Sequence, residues 1–350
     1  MNSVTIGMDI SDKKSFVIVL DSDGEITDSQ NIPNTVESIE SYFCKYSGAK
    51  VALEAGSHSP WISRVLSGLG FTVYVGNPRK LRVIWQSPNK SDIRDAEMLA
   101  RIARFDQNLL YPVHHRGEQA HADLSMLKAR AMLVECRSDL INHVRGAVKS
   151  FGLRLPSCSS ESFASKIPGY LPDKLKPALL MVVEEIKGLT DKIRDYDRRI
   201  EEISNTMYPE TGCLRQIAGV GPITALAYIL TLEEPERFGN SRSVGAFLGL
   251  TPRRDQSGET DRQLRITKAG NKYLRQLLVG CAQYILGPFG PESDLKEFGL
   301  RLAGRGGKNA KRRAVVAVAR KLAVLLHRLW ITGEVYNAVH KSNRILAKAA

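Results

Sequence analysis

Residues 3–25 read SVTIGMDISDKKSFVIVLDSDGE, and this stretch decides the fold of the front of the chain. Two apolar, β-branched runs, SVTIGMDI (3–10) and SFVIVL (15–20), are separated by polar residues and predict antiparallel strands. The following DSDGE has the composition of a hairpin turn. Working outward, AKVALEAG (49–56) and FTVYVGNP (71–78) predict two more short strands. Between them SPWISRVLSGLG predicts a helix with Ser59 as N-cap, Pro60 at the first helical position and glycine at its end. Strands followed by alternating helix and strand imply a mixed α/β sheet.

Beyond residue 112 the period changes. From 117 to 152, Leu124, Leu127, Ala131, Val134, Leu140, Val144, Val148 and Phe151 recur near helical steps, and Pro156 with SCSSES marks a break. In the next helix, Leu179, Val182, Ile186, Leu189, Ile193, Tyr196, Ile200, Ile203 and Met207 step alternately by three and four, a heptad seam. It fits an intramolecular hairpin or a contact with another subunit. After Tyr208-Pro209 the composition shifts again, to a basic and mostly helical part.

The chain has 350 residues, 43% of them hydrophobic, enough for two or three compact units. Its longest apolar run, AVVAVARKLAVLLHRLW, is broken by Arg320, Lys321 and Arg328, short of the roughly 18 residues a membrane span needs. The first residues carry no basic or apolar leader pattern, so a soluble, cytoplasmic protein is expected. The five cysteines are scattered, without zinc spacing, and predict reduced thiols and no structural metal. The net charge of +13 is unevenly spread. Residues 1–110 hold 12 Lys/Arg against 13 Asp/Glu, residues 111–210 hold 15 against 14, and residues 211–350 hold 23 against 10. That asymmetry suits a phosphate-backbone binder, and equally a solubilising basic surface.

Four carboxylates define the candidate site. Asp9 ends the first strand, Glu54 ends VALEAG, and Asp92 and Asp95 share one face of the helix that begins SDIRDAEMLA. Taken alone, the last two read as acids in a first helical turn, where the macrodipole favours them. If the four converge, their mutual repulsion calls for cations, and two Mg²⁺ (or Mn²⁺) ions would serve to polarise a phosphate.

The basic part offers further candidates. Gly219 and Gly221 open an apolar helix in IAGVGPITALAYI, either a tight turn or a helix-hairpin-helix-like turn presenting N–H groups to a phosphate. A long loop from Gly249 interleaves Arg253, Arg254, Arg262, Arg265, Lys268, Lys272 and Arg275 with Ser257-Gly258. Lys308, Lys311, Arg312 and Arg313 follow a glycine pair at the start of the last helix and suit phosphate binding. Tyr273, Trp330 and Tyr336 read as core aromatics, and His114, His115 and His121 as ordinary polar residues.

The order of the acids resembles the RuvC/RNase H-like nuclease arrangement. With IGMDIS, VALEAGS, NPRKLRVIWQSPNKSDIRDAEMLA, INHVRGAVKSFG, IAGVGPITALAYI, FLGLTPRRDQSGET and ITKAGNKYLRQLL, nearly the whole chain resembles the DEDD transposases of bacterial insertion sequences. These are the "IS one-ten" type, which includes pilin-gene invertases and bridge-RNA-guided recombinases. The resemblance implies an RNase H/RuvC-like catalytic domain (1–112), a helical coiled-coil linker (113–210), a C-terminal transposase domain (211–340) and a tail (341–350). It implies metal ligation by Asp9, Glu54, Asp92 and Asp95, and it makes Ser257 the nucleophile of a covalent protein–DNA intermediate in a composite site. The implied partners are double-stranded donor and target DNA, a structured non-coding guide RNA and further copies of the chain as a dimer or tetramer, at the bacterial nucleoid. Ser241 and Ser243 are competing hydroxyls that read as a helix N-cap region. A junction-resolving nuclease without a covalent intermediate and a non-enzymatic nucleic-acid scaffold are the alternatives.

Overall fold

The computed structural model describes residues 4–81 and 91–339; the expected tail 341–350 and part of the segment leading to Asp92 lie outside them. The chain forms two compact units divided between Gly117 and Glu118.

The first unit is built on a five-stranded sheet of order β3-β2-β1-β4-β5. Its strands are β1 (Thr5–Ile10), β2 (Lys14–Leu20), β3 (Ile26–Pro33), β4 (Lys50–Glu54) and β5 (Thr72–Gly76). The first three run as an antiparallel meander, while β4 and β5 are parallel to β1. The DSDGE turn joins β2 to β3. There the Asp21 carboxylate accepts the N–H groups of Asp23, Gly24 and Glu25, each at 2.9 Å, which lowers its pKa.

Strand alternation sends Ile6, Met8, Val17, Val19, Val51 and Leu53 to one face. They pack against Ile39 and Phe43 of α1 (Val36–Phe43) and Ile62 and Leu66 of α2 (Ser59–Gly68). The opposite face presents Ile18, Leu20 and Ala52 to Ala96, Leu99, Ala100 and Ala103 of α3 (Asp92–Asp106). The result is a helix/sheet/helix sandwich. Ser59 does not cap α2 as expected: His58 occupies the N-cap, and the buried Ser59 hydroxyl is taken by Gly56 and His115.

The second unit begins with α4 (Glu118–Ala147) and α5 (Lys176–Thr206), which pack on each other within the chain, so the heptad seam serves an internal hairpin. At the closed end Ile141, Val144 and Val148 meet Leu179, Val183 and Ile186 under Phe163 and Ile167. Val183 is buried there and Val182 packs partly buried beside it, while Met207 is exposed past the helix terminus. Midway, Arg130 grips Asp197 through two bonds of 2.6 and 3.3 Å. At the other end Leu124, Leu127 and Ile200 enter the main core.

That core surrounds α6 (Pro222–Leu232), whose residues from Thr224 to Leu232 are all buried. A helix apolar on every side is stable only when enclosed. It is enclosed by α4, α5 and α8 (Lys272–Leu286) and touches α10 (Ala310–Thr332), where the Tyr228 hydroxyl donates to the Ala323 carbonyl at 2.6 Å. Shorter helices include α7 (Arg242–Phe247) and α9 (Asp294–Ala303). Tyr273 and Trp330 pack on this core, as expected.

The expected long loop after Gly249 is instead an antiparallel hairpin, β6 (Pro252–Ser257) and β7 (Thr260–Ile266). Its base is locked. A Cβ on Gly249 would stand 2.2 Å from the Ala269 nitrogen, and one on Gly270 2.1 Å from the Phe247 carbonyl oxygen; both glycines also have positive φ. No other residue fits such an approach without backbone movement. Arg275 ties the same two segments, donating to the carbonyls of Leu248 (3.0 Å) and Ala269 (2.7 Å).

Candidate active site

The position of Asp9 follows from the residue two before it. Gly7 lies directly under α3: a Cβ there would meet the Ala96 carbonyl oxygen at 1.9 Å and the Ala100 nitrogen at 2.6 Å. Residues two apart on a strand share a face, so Asp9 stands on the α3 side of the sheet. Glu54 shares that side with Ala52. The register pairs Met8 with Leu53, so Asp9 and Glu54 are the next residues along neighbouring parallel strands.

The direction of α3 completes the placement. Arg101 and Arg104, in its second half, donate to the carbonyls of Gly24 and Ser22, in the turn that follows Leu20. Leu20 pairs with Thr5, at the start of β1. The helix therefore runs antiparallel to β1, and its first turn, with Asp92 and Asp95, lies toward the Asp9 and Glu54 end. Ser91 caps that turn by accepting the Arg94 N–H. Asp95 is 6% exposed on the sheet-facing side, Asp9 and Glu54 are half-buried, and Asp92 is exposed.

All four are hard oxygen donors, the chemistry that suits Mg²⁺ or Mn²⁺. They are not gathered into a cage: among the described residues, no group of three or more His, Cys, Asp or Glu is arranged to hold a metal ion. The donor set fits in chemistry and in its common end of one sheet face. Two pairs missed in the sequence flank the same end. His58 Nε2 lies 3.3 Å from Asp12 Oδ1 and His115 Nε2 lies 2.8 Å from Ser59 Oγ. His115 is thus tied to α2, a link that only the fold brings about.

In the second unit, Ser257 and Thr260 form the last pair of the β6–β7 hairpin, with Gly258 at φ +54 in the turn between them. Ser257 is exposed. Arg254 is engaged across the hairpin with Asp261, through bonds of 2.9 and 2.7 Å. Arg275 is spent on the loop carbonyls described above. Arg253, Arg262 and Lys272 are exposed. Gly219 has φ +92 and Gly221 is the N-cap of α6 with Pro222 after it, so the expected turn is present.

A groove of about 1830 Å³ runs between β7, α9 and α10. Of the residues singled out in the sequence, Arg265, Lys268, Arg312 and Arg313 line it. Lys308 and Lys311 are exposed at the start of α10. Arg242, Arg305, Arg320, Lys321 and Arg328 also line the groove and were not read as binding residues. For those on α10 the signal was spacing: Arg313 and Arg320, like Lys321 and Arg328, stand seven apart, two helical turns, inside a run that otherwise reads as apolar.

Ser241 lines the same groove. It stands at the N-cap of α7 without capping it. Its Oγ lies 3.0 Å from Nδ1 of the fully buried His327, whose Nε2 is 2.9 Å from the Pro235 carbonyl oxygen. A carbonyl only accepts, so Nε2 carries the hydrogen and, in the neutral ring, Nδ1 accepts from Ser241.

Comparison with known proteins decides the class. A family profile described as "Transposase IS116/IS110/IS902 family" matches residues 212–295, and a second, for the DEDD transposases of IS110, matches residues 6–152. The "Transposase for insertion sequence element IS1111A" of Coxiella burnetii is 31% identical over 302 residues, covering 82% of this chain and 79% of that protein. The chain belongs to this transposase family. The "Probable family 20 transposase" of Pseudomonas aeruginosa is 26% identical, covering 82% of this chain and 85% of its own. The "Transposase for insertion sequence element IS1328" of Yersinia enterocolitica is 28% identical, covering 67% and 70% respectively. The DEDD profile spans Asp9, Glu54, Asp92 and Asp95, whereas Ser257 falls within the second profile. A transposase acts on DNA, and no helix of the described residues is long and apolar enough to cross a membrane.

Proposed function

We propose that this transposase cuts and rejoins DNA by divalent-metal chemistry at Asp9, Glu54, Asp92 and Asp95, in an RNase H/RuvC-like first unit, with Ser257 as the attacking hydroxyl. One observation carries the reading: Asp9 and Glu54 end adjacent parallel strands on the face covered by α3, whose first turn brings Asp92 and the buried Asp95 to the same end. Ions held by these carboxylates would neutralise charge at the scissile phosphate. The carboxylates would supply the oxygen ligands of those ions. Ser257 Oγ forms a bond to phosphorus, the bond from phosphorus to the leaving DNA oxygen breaks, and the serine proton passes to a base while the leaving oxygen is protonated. Reversal with a second DNA hydroxyl rejoins the strands and frees the serine. Guidance by a structured RNA, pairing with donor and target DNA, rests on the family resemblance, as does assembly into a dimer or tetramer.

A second reading has its own observation. Ser241, in the basic groove, donates to a histidine whose tautomer is fixed by a backbone carbonyl, the arrangement that makes a hydroxyl nucleophilic. The test is recovery of the covalent protein–DNA adduct from a cell expressing the chain with its own element, followed by mass spectrometry of the DNA-bearing peptide. Adduct on the 254–262 peptide, lost in Ser257→Ala and on chelation and kept in Ser241→Ala, supports the first reading. Adduct on the Ser241 peptide supports the second. DNA cleavage without any adduct, surviving both substitutions, would make the enzyme a hydrolytic nuclease.

A further inference from the structure

The groove of the second unit is more than a basic surface. Its floor is apolar, formed by Leu295, Phe298, Val316 and Val324, and its walls are cationic. One wall is the base of β7 with Arg265; the facing wall is α10 with Arg312, Arg313 and Arg320. Arg242 closes one side. Among the described residues lining it, the acids are Asp294 and Glu334, and Glu334 already holds Arg328 at 2.9 Å. The course of Arg320 is set by a glycine: a Cβ on Gly245 would stand 3.1 Å from its Cγ, so the side chain's stem lies across α7. An excess of guanidinium groups lining an apolar floor matches a polyanion with planar, weakly polar groups attached, which describes a nucleic-acid strand.

We infer that this groove seats the phosphate backbone of the DNA strand being recombined, next to the bond that the hairpin serine attacks. The inference rests on the recombinase reading and adds to it where the strand lies. DNA is the occupant because the groove wall is the hairpin itself. Gln263, on that wall, is three residues from Thr260, the partner of Ser257. At about 3.3 Å per residue the wall lies roughly 10 Å from the serine pair. That is about three phosphates along a B-form strand at 3.4 Å each. A strand under attack at the tip needs only that span to reach the groove.

The test compares two triple variants of the full chain that lose equal charge. Arg242→Gln/Arg313→Gln/Arg320→Gln removes three of the groove's cations, while Lys187→Gln/Lys192→Gln/Arg199→Gln removes exposed cations from α5. Binding to a fluorescein-labelled 30-bp DNA duplex and to a 30-nucleotide RNA is measured by anisotropy across a sodium chloride series, with melting curves verifying that each variant is folded. The expected result is a DNA affinity at least about tenfold weaker for the groove variant, with a log–log salt slope shallower by about 2 to 3, since each lost phosphate contact contributes about 0.9. The α5 variant should stay near wild type. Equal DNA binding by the two variants would overturn the inference, and so would a loss confined to RNA. If the groove variant binds DNA normally and still forms the serine adduct, the groove assignment fails while the recombinase reading stands. A wild-type chain that binds no DNA and forms no adduct would remove both.

Discussion

Gly7 of β1 and Ala96 of α3 approach so closely that a methyl group on the glycine would stand 1.9 Å from the alanine carbonyl oxygen. The obstacle is backbone, which cannot rotate away. Gly7→Ala must therefore lift α3 from the sheet and carry Asp92 and Asp95 away from Asp9 and Glu54. We expect a loss of about 1–3 kcal/mol in urea unfolding, together with loss of DNA cleavage. Gly56→Ala, at a glycine with open space around it, serves as the control and should be close to neutral in stability.

Asp95 and Asp92 should separate in substitution. Asp95→Asn alters a carboxylate that is 6% exposed and packed toward the sheet, whereas Asp92→Asn alters an exposed one. Both are expected to lower adduct formation by about 100-fold or more, the scale of losing one charge-stabilising group. Only Asp95→Asn should also shift the thermal midpoint. Full activity in both variants would show the acids to be structural.

Arg137 crosses the α4–α5 hairpin, 6% exposed, donating to Thr190 Oγ1 and Glu161 Oε1 at 3.3 Å each, while its Nε has no hydrogen-bond partner. A guanidinium buried with one donor unmet is a costly way to fill space. Arg137→Met should match the parent within about 1 kcal/mol, because packing is kept and the buried charge is removed. Arg137→Ala should lose about 2–5 kcal/mol, through the cavity it leaves. Urea midpoints of the full chain distinguish the two.

Asp28 on the edge strand β3 accepts the hydroxyls of Tyr46 (2.6 Å) and Tyr42 (3.0 Å). The Tyr46 bond first, and the Tyr42 bond after it, hold the Asp28 pKa below its ordinary 3.8. A carboxyl whose pKa is lower in the folded than in the unfolded chain adds stability above the ordinary value and loses it as pH falls through the folded one. Asp28→Asn should therefore flatten the decline in urea midpoint between pH 5 and pH 3. An unchanged slope would mean that these bonds do not contribute.

The fold of the first unit was legible where burial leaves its mark on the residue pattern. SVTIGMDI and SFVIVL show their strands because both faces of the sheet are covered, and α3 shows its Ala96, Leu99, Ala100 stripe. The order of the acids followed directly, because strand ends and a first helical turn are positions that sequence specifies well. The β6–β7 hairpin was not legible. PRRDQSGETDRQLRI carries charges on both faces and is exposed along nearly its whole length, so it has no alternation to read. Arg320 and Arg328 of α10 were hidden for the opposite reason: they stand in an apolar run that reads as core. The Ser241–His327 pair joins residues 86 apart and exists only through the packing of α10 beside α7.

The glycine lock at the base of the β6–β7 hairpin makes it a cantilever, fixed at one end and touching little else. The reach of Ser257 is then a matter of strand length. Deleting one residue from each strand would turn the serine to the opposite face, while deleting two would keep its facing and pull it back by about 7 Å. On the proposed reading in which Ser257 attacks, hairpins of relatives that differ in length should do so by even steps per strand, each step moving the point of attack by about two nucleotides along the DNA.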